Sequence, residues 1–267
     1  MEMNAALEQM SELQQAISGR NEQEWDDESC EKLLFCPIAG LLHVEFYGSP
    51  FDESFEDFIQ TVCRPSVATH IRSIVFRGPD EGANGTRNWD FKPLLDSNVI
   101  FPNLKSLVVE PTLPEHHNHT IIASSYEEEG QIAQLLAKAP ALESLTVPSA
   151  PDETFFNVGS YPLKNLRVEA GYDTQNFILN FSQSHCFTQL RVLDFGDYNQ
   201  RDMEDYPAGC TLSEHFEQLF RSEAFSSIVR FVLRNSILSA EQLVELQKLK
   251  KECQFMVIQT PHGNYVR

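Results

Sequence analysis

Glu115-His116-His117-Asn118-His119 gathers three imidazoles within four residues, and neutral histidines are transition-metal ligands by type. No cysteine or second run of ligands nearby completes a defined site, so the stretch reads as a polar loop and no metal is expected. Paired carboxylates are the other chemistry-bearing pattern. Asp26 with Asp27, and Asp202 with Asp205, have the residue type for general acid–base work. Both pairs lie in acidic runs, and such runs ordinarily stay solvated. His185 and Cys186 are sequence neighbours, and neighbours in an extended stretch point apart, which argues against a nucleophile–base dyad. The chain contains no G-x-S-x-G, H-E-x-x-H, Walker A or G-x-G-x-x-G phrase. Gly82-Ala83-Asn84-Gly85 is a turn signal, not a phosphate cradle. No catalytic residue and no cofactor are expected.

Acids and aromatics alternate more distinctively in two later stretches. One is Gly171-Tyr172-Asp173; the other runs Gly196-Asp197-Tyr198-Asn199-Gln200-Arg201-Asp202-Met203-Glu204-Asp205-Tyr206. Asp80, Glu81 and Trp89 are an earlier counterpart. Stacked on one rim, these residues would form a ridge of aromatic anchors with acids that steer a basic partner. The plainer reading is a solvated acidic rim with its tyrosines packed on it. The candidate partner-binding set is Tyr172, Asp173, Asp194, Asp197, Tyr198, Asp202, Asp205 and Tyr206, with Arg167 and Glu169 beside them.

Composition narrows the field. Acidic side chains outnumber basic ones 39 to 20, a formal charge of −19. Such a surface repels phosphate backbones and anionic membranes, so the expected partner is a protein with a basic surface rather than nucleic acid or lipid. Hydrophobic residues make up 42% of the chain, enough for a folded core, and no apolar run is long enough to span a bilayer. The six cysteines fit neither a zinc module nor a small disulfide framework. With a polar, acidic N-terminus and no apolar leader, the simplest compartment is a reducing cytoplasm.

The elements that must position these residues recur. The phrases Leu104-x-x-Leu107-x-Val109, Leu142-x-x-Leu145-x-Val147, Leu163-x-x-Leu166-x-Val168 and Leu190-x-x-Leu193-x-Phe195 share one pattern. Weaker copies begin at Leu41, Ile71, Ile228 and Cys253, so the starts lie 30, 33, 38, 21, 27, 38 and 25 residues apart. Each phrase predicts a strand: Leu42–Tyr47, Arg72–Arg77, Lys105–Glu110, Glu143–Val147, Asn165–Glu169, Arg191–Phe195, Val229–Arg234 and Phe255–Gln259. Helical patterns intervene at Ser54–Val62 and Tyr126–Ala139, and after the capping signals Thr211-Leu212-Ser213-Glu214 and Ser239-Ala240-Glu241-Gln242. Parallel strands follow from this alternation. Residues 1–40 read as an N-terminal helix and an acidic linker ahead of a repeat domain over 41–267. The helix, with Ala6, Leu7, Met10, Leu13, Ala16 and Ile17 on one face, or the stretch Leu33–Ile38, would hide the open edge of the first repeat; a tethered tail is the alternative.

These phrases resemble the leucine-rich repeat superfamily, most closely its ribonuclease-inhibitor-like branch. Phe101-Pro102-Asn103-Leu104, Ala139-Pro140-Ala141-Leu142 and Phe187-Thr188-Gln189-Leu190 look like that family's approach to each strand. Ala170-Gly171-Tyr172-Asp173 and Phe195-Gly196-Asp197-Tyr198 look like a divergent bacterial-type subgroup of intracellular members. The likeness covers roughly residues 41 to 260. It departs from the standard repeat in variable unit length, in long loops after Glu110 and Asp197, and in lacking the usual asparagine except near Asn235. It implies an α/β solenoid of about 7–8 irregular repeats, with a curved parallel sheet on the concave side and helices on the convex side. The implied function is non-enzymatic protein recognition, of the kind an immunity or inhibitor protein performs. A regulatory adaptor subunit and a hydrolase built on the acidic loops are the alternatives.

Overall fold

The computed structural model describes residues 2–21, 31–80, 85–124, 127–199 and 204–260. The chain opens with helix α1 (Glu2–Asn21) and strands β1 (Lys32–Ile38) and β2 (Leu41–Tyr47). Helices α2 (Glu53–Val62) and α3 (Pro65–Ala68) lead to β3 (Ile71–Arg77), then β4 (Thr86–Trp89), α4 (Lys92–Leu95), β5 (Ser106–Val109) and β6 (His119–Ile122). Next come α5 (Gln131–Lys138), β7 (Ser144–Val147), β8 (Asn165–Glu169), α6 (Phe177–Gln183) and β9 (Val192–Gly196). The chain continues through α7 (Ser213–Arg221), β10 (Arg230–Arg234), α8 (Ala240–Leu249) and β11 (Gln254–Ile258).

Nine strands make one sheet in the order β1-β2-β3-β5-β7-β8-β9-β10-β11, which is chain order once β4 and β6 are set aside. Every phrase expected to be a strand is one. Only β1 runs antiparallel, because Ala39 (φ 52°) and Gly40 (φ 78°) close a two-residue hairpin with both central residues left-handed. The other pairings are parallel.

Side chains alternate across this sheet, and one face carries the core. Its register aligns Val44, Ile74, Leu107, Leu145, Leu166, Leu193 and Phe231 across successive strands. All are at most 3% exposed, so the column is continuous and dry. Among the described residues, each of the eight α-helices buries apolar residues in the same core. At its first end Phe46, Phe55, Phe58, Phe76, Trp89 and Phe91 form an aromatic cluster, with Phe76 and Phe91 centroids 4.9 Å apart. Trp89 is 1% exposed and anchors that cluster instead of standing on the rim.

Helix α1 and strand β1 join this body. Ala6, Met10, Leu13 and Ile17 of α1 are buried in the common core, while Ala16, expected on the same face, is exposed. The acidic stretch from Glu22 to Glu28 lies outside the described residues.

Helix starts differ from expectation in two places. α5 begins at Gln131, not at Tyr126 (which lies outside the described residues), with Gly130 at the N-cap and one of the preceding acids, Glu128, bonded to its first turn. The buried Glu128 carboxylate accepts from Gly130 N–H (3.0 Å) and Ile132 N–H. At α7, Thr211 does not cap the helix: Leu212 holds the N-cap position with no side-chain bond. At α8 the expected capping box forms, Ser239 Oγ accepting from Gln242 N–H and Gln242 Oε1 from Ser239 N–H.

Candidate functional site

Among the described residues no helix lies over the second face of the large sheet, although Val232 of β10 is buried there. His43, Glu45, Ser73, Val75, Ser106, Val108, Ser144, Thr146, Arg167 and Asp194 are all partly exposed there. Its middle is made of short side chains from β3, β5 and β7. At a strand spacing of ~4.8 Å this gives a smooth strip roughly 10–15 Å wide. His43 Nδ1 and Ser73 Oγ lie 2.8 Å apart at its border.

Ion clusters bound the strip. On one side Arg77 stands between Glu45 (3.5 Å) and Glu110 (3.3 Å). On the other, Arg234 grips Asp194 with two bonds, Nε to Oδ1 at 2.7 Å and Nη2 to Oδ2 at 2.9 Å. Arg167 donates to Glu169 Oε1 from Nε (3.2 Å) and Nη2 (2.8 Å). Glu169 lies across Gly196 of the next strand, and an added Cβ there would meet Glu169 Oε2 at 1.6 Å. Glycine at that position makes room for the carboxylate. Burial raises the Glu169 pKa, and Arg167 and Arg234 work against that rise. The hydrogen bond to Asp194 raises that of Arg234. Three candidate residues, Arg167, Glu169 and Asp194, therefore meet in one network. Arg234 completes it; strand alternation from Val232 was the signal that put it on this face.

At the strand ends the candidate residues have different surroundings. Tyr172 is half-buried, its hydroxyl 2.8 Å from Thr86 Oγ1 and its ring 4.7 Å from that of His119. The His119 pKa falls to about 4 through burial, so the ring beneath Tyr172 is neutral at pH 7. β4 and β6, a two-stranded parallel sheet unforeseen in the sequence, carry Thr86 and His119 and so position Tyr172. Asp173 and Asp205 are exposed.

Tyr198 and Asp197 depart from expectation. Tyr198 is 1% exposed and Asp197 3%, so neither offers a contact surface. Tyr198 packs with Ala170 and Cys210 in a satellite cluster covered by Tyr206, and its hydroxyl donates to Asp205 Oδ1 at 2.6 Å. A tyrosine in a polar loop thus fastens that loop. Asp202 lies outside the described residues, as does Glu81.

Asp197 Oδ1 accepts from Tyr198 N–H (2.9 Å), Thr211 N–H (3.0 Å) and Thr211 O–H (2.8 Å). Asn235 makes a similar clamp after β10, its Oδ1 accepting from Thr260 N–H (2.9 Å) and O–H (2.6 Å). The Asp197 Oδ2 atom is buried without a hydrogen-bond partner among the described residues. Burial pushes the carboxyl pKa above its ordinary value, with the Thr211 and Tyr198 bonds opposing the rise. Asp197→Ala strips three donors of their acceptor and is expected to cost about 1–2 kcal/mol. Asp197→Asn keeps that acceptor and removes the charge, so it is expected to stabilise at pH 7. Because the folded carboxyl binds its proton at higher pH than the unfolded one, the penalty is full above the folded pKa. It disappears as pH falls below the unfolded carboxyl value near 3.8. Urea melts of both variants at pH 7 and pH 3 check this; a destabilised Asp197→Asn at pH 7 contradicts it.

The histidines part company. Asp80 accepts from the His117 N–H (2.8 Å) and ring Nδ1 (2.7 Å) and from the Asn118 N–H (3.3 Å). Burial would raise the Asp80 pKa, but these bonds hold it below its ordinary value. His119 turns the other way, toward Tyr172. No group of three metal-binding side chains occurs among the described residues. Chelation is accordingly expected to leave the melting temperature unchanged; a stoichiometric metal lost on replacing His116, His117 and His119 would overturn this. His185 is exposed while Cys186 is buried with Sγ on the Phe156 carbonyl, so the two do point apart.

No described helix is long and apolar enough to cross a membrane. No family model matches the chain. No curated protein matches it either. Among solved structures it is similar to a crystal structure of a Bacteroides fragilis protein, at 18% identity and a TM-score of 0.42. That likeness covers 78% of this chain and 62% of the other, so the chain spans less than two thirds of that neighbour's length.

Proposed function

We propose that this chain is a leucine-rich repeat solenoid acting as a protein-recognition module, with its open sheet face as the docking platform. The observation that carries the reading is the asymmetry of the sheet. One face is sealed by helices; the other stays open, flat in the middle and framed by paired charges. A rigid sheet of this kind lowers the ordering cost of binding. The partner lies on the strip from Ser73 to Thr146 and reaches the Arg167, Glu169, Asp194 and Arg234 network. Tyr172, Asp173, Asp205 and Tyr206 form the adjoining rim. Tyr198 and Asp197 serve by holding that rim in shape.

A role as an immunity or inhibitor-type protein, or as an adaptor, is compatible with such a platform. The hydrolase alternative rested on carboxylates of the acidic loops; of these Asp26, Asp27 and Asp202 lie outside the described residues, and Asp205 accepts a hydrogen bond from the Tyr198 hydroxyl. Affinity capture from native lysate, with wild-type protein and a Val108→Arg/Thr146→Arg variant as parallel baits, tests the proposal. Proteins retained by the first and lost from the second are expected. Identical sets on both baits would contradict it.

A further inference from the structure

A row of cations runs along the rim where the strands begin. The second residue of successive leucine phrases is Arg72, Lys105, Glu143, Lys164 and Arg191; in the next phrase that place is Val229, and Arg230, bonded to Gln254, comes one residue later. The backbone sets them side by side. The N–H groups of Lys105, Glu143, Lys164 and Arg191 donate to the carbonyls of Arg72, Lys105, Glu143 and Lys164 at 2.8–2.9 Å. Arg230 N–H donates to the Arg191 carbonyl at 3.1 Å. At ~4.8 Å between strands the row spans roughly 24 Å. Lys164, Arg191 and Arg230 are exposed, and Arg72 and Lys105 are half-exposed.

Folding does not account for this alignment. Like charges on neighbouring strands repel and destabilise a sheet. Glu143 gives partial relief by bridging Lys105 and Lys164, each at 2.7 Å. Five cations against one carboxylate still leave the row clearly positive in a chain of charge −19. Beside it lies a second feature. Arg191 Nη1 donates to the Ser227 carbonyl (3.3 Å), and Ser227 lines a shallow cleft with Phe181 and Phe187, Glu223 standing at its lip. Both rings are buried, at 1% and 4% exposure, and give the cleft an apolar wall.

We propose that this strand-start rim docks an extended acidic protein segment, its carboxylates along the row and one apolar side chain in the cleft beside Arg191. Carboxylates pair with guanidinium groups in bidentate fashion, and the cleft adds an apolar anchor. A protein segment is favoured over nucleic acid because the cleft beside the row can take an apolar side chain, which a phosphate backbone does not carry. This surface is distinct from the open sheet face and stands without it.

The test is fluorescence anisotropy with three labelled probes: an extended peptide of glutamates around one leucine, its glutamine counterpart, and a thymidine oligonucleotide of equal charge. The glutamate peptide is expected to bind at low salt and weaken as salt rises. Lys164→Glu/Arg191→Glu is expected to weaken it on the order of tenfold or more, and Arg72→Glu, at the far end, to weaken it independently. Glu143→Gln is expected to tighten it, by freeing two lysines. The glutamine peptide is expected not to bind. The altered side chains are on the rim, and circular dichroism checks that each variant is folded. Three results would overturn the proposal: no binding of the glutamate peptide, binding indifferent to both reversals, or tighter binding of the oligonucleotide through the same residues.

Discussion

Leu166→Ala is expected to lower the free energy of unfolding by about 2–5 kcal/mol. Leu166 is 1% exposed on β8, aligned with Leu145 on one side and Leu193 on the other. Strands on both flanks hold the backbone, so the space left by the lost methyl groups closes poorly. The lost transfer energy and the cavity therefore add. Leu34→Ala is the control. Leu34 is 54% exposed on β1, and its truncation should change stability by no more than about 0.5 kcal/mol. Urea denaturation midpoints measure both. A Leu166→Ala protein as stable as its parent would mean that the register is wrong.

The second large effect belongs to the ion network. Arg234→Leu leaves the Asp194 carboxylate without its two hydrogen bonds and close to Glu169, at side-chain exposures of 19% for Arg234 and 15% for Asp194. A loss of about 2–3 kcal/mol at pH 7 is expected, below the fully buried limit because water still reaches the pair. Arg234→Leu/Asp194→Leu should recover much of the loss, since an apolar pair replaces the charge pair without an orphaned carboxylate. A double-mutant cycle by thermal or urea melts reads this coupling. An additive double mutant would show that the two residues do not depend on each other.

The strands were legible because each is buried on one face only. In Leu163-x-x-Leu166-x-Val168 the apolar residues fall on alternate positions, so pattern, strand and facing could all be read together. The same alternation put Arg167 and Asp194 on the open face. What escaped was long-range or too short to show a period. Thr86–Trp89 is a four-residue strand of mostly polar residues, and its Arg87 is buried, which no local pattern signals. Tyr198 and Asp197 sit in a run of polar residues that reads as solvated; Tyr198 packs on Ala170 and Cys210 and Asp197 is bonded to Thr211, contacts that no local pattern signals. A clue was present in the recurrence of Asp197 before Thr211 and Asn235 before Thr260, two clamps of one design. Four members of the basic row, Arg72, Lys105, Lys164 and Arg191, were also written in the leucine phrases, each at the second position.

Docking of a protein on the open sheet face is the central claim, and binding kinetics on a partner captured from native lysate tests it most directly. Thr146 lies on β7, the central strand of the nine and the edge of the strip nearest the Arg167 network, and Glu217 lies exposed on α7. An arginine at Thr146 places a long charged side chain where a partner must pack closely. Thr146→Arg is expected to weaken binding by a factor on the order of 100, mainly through faster dissociation, while Glu217→Arg leaves it unchanged. Unaltered binding by a folded Thr146→Arg protein, with loss in Glu217→Arg, would contradict the account and move the partner to the helical side.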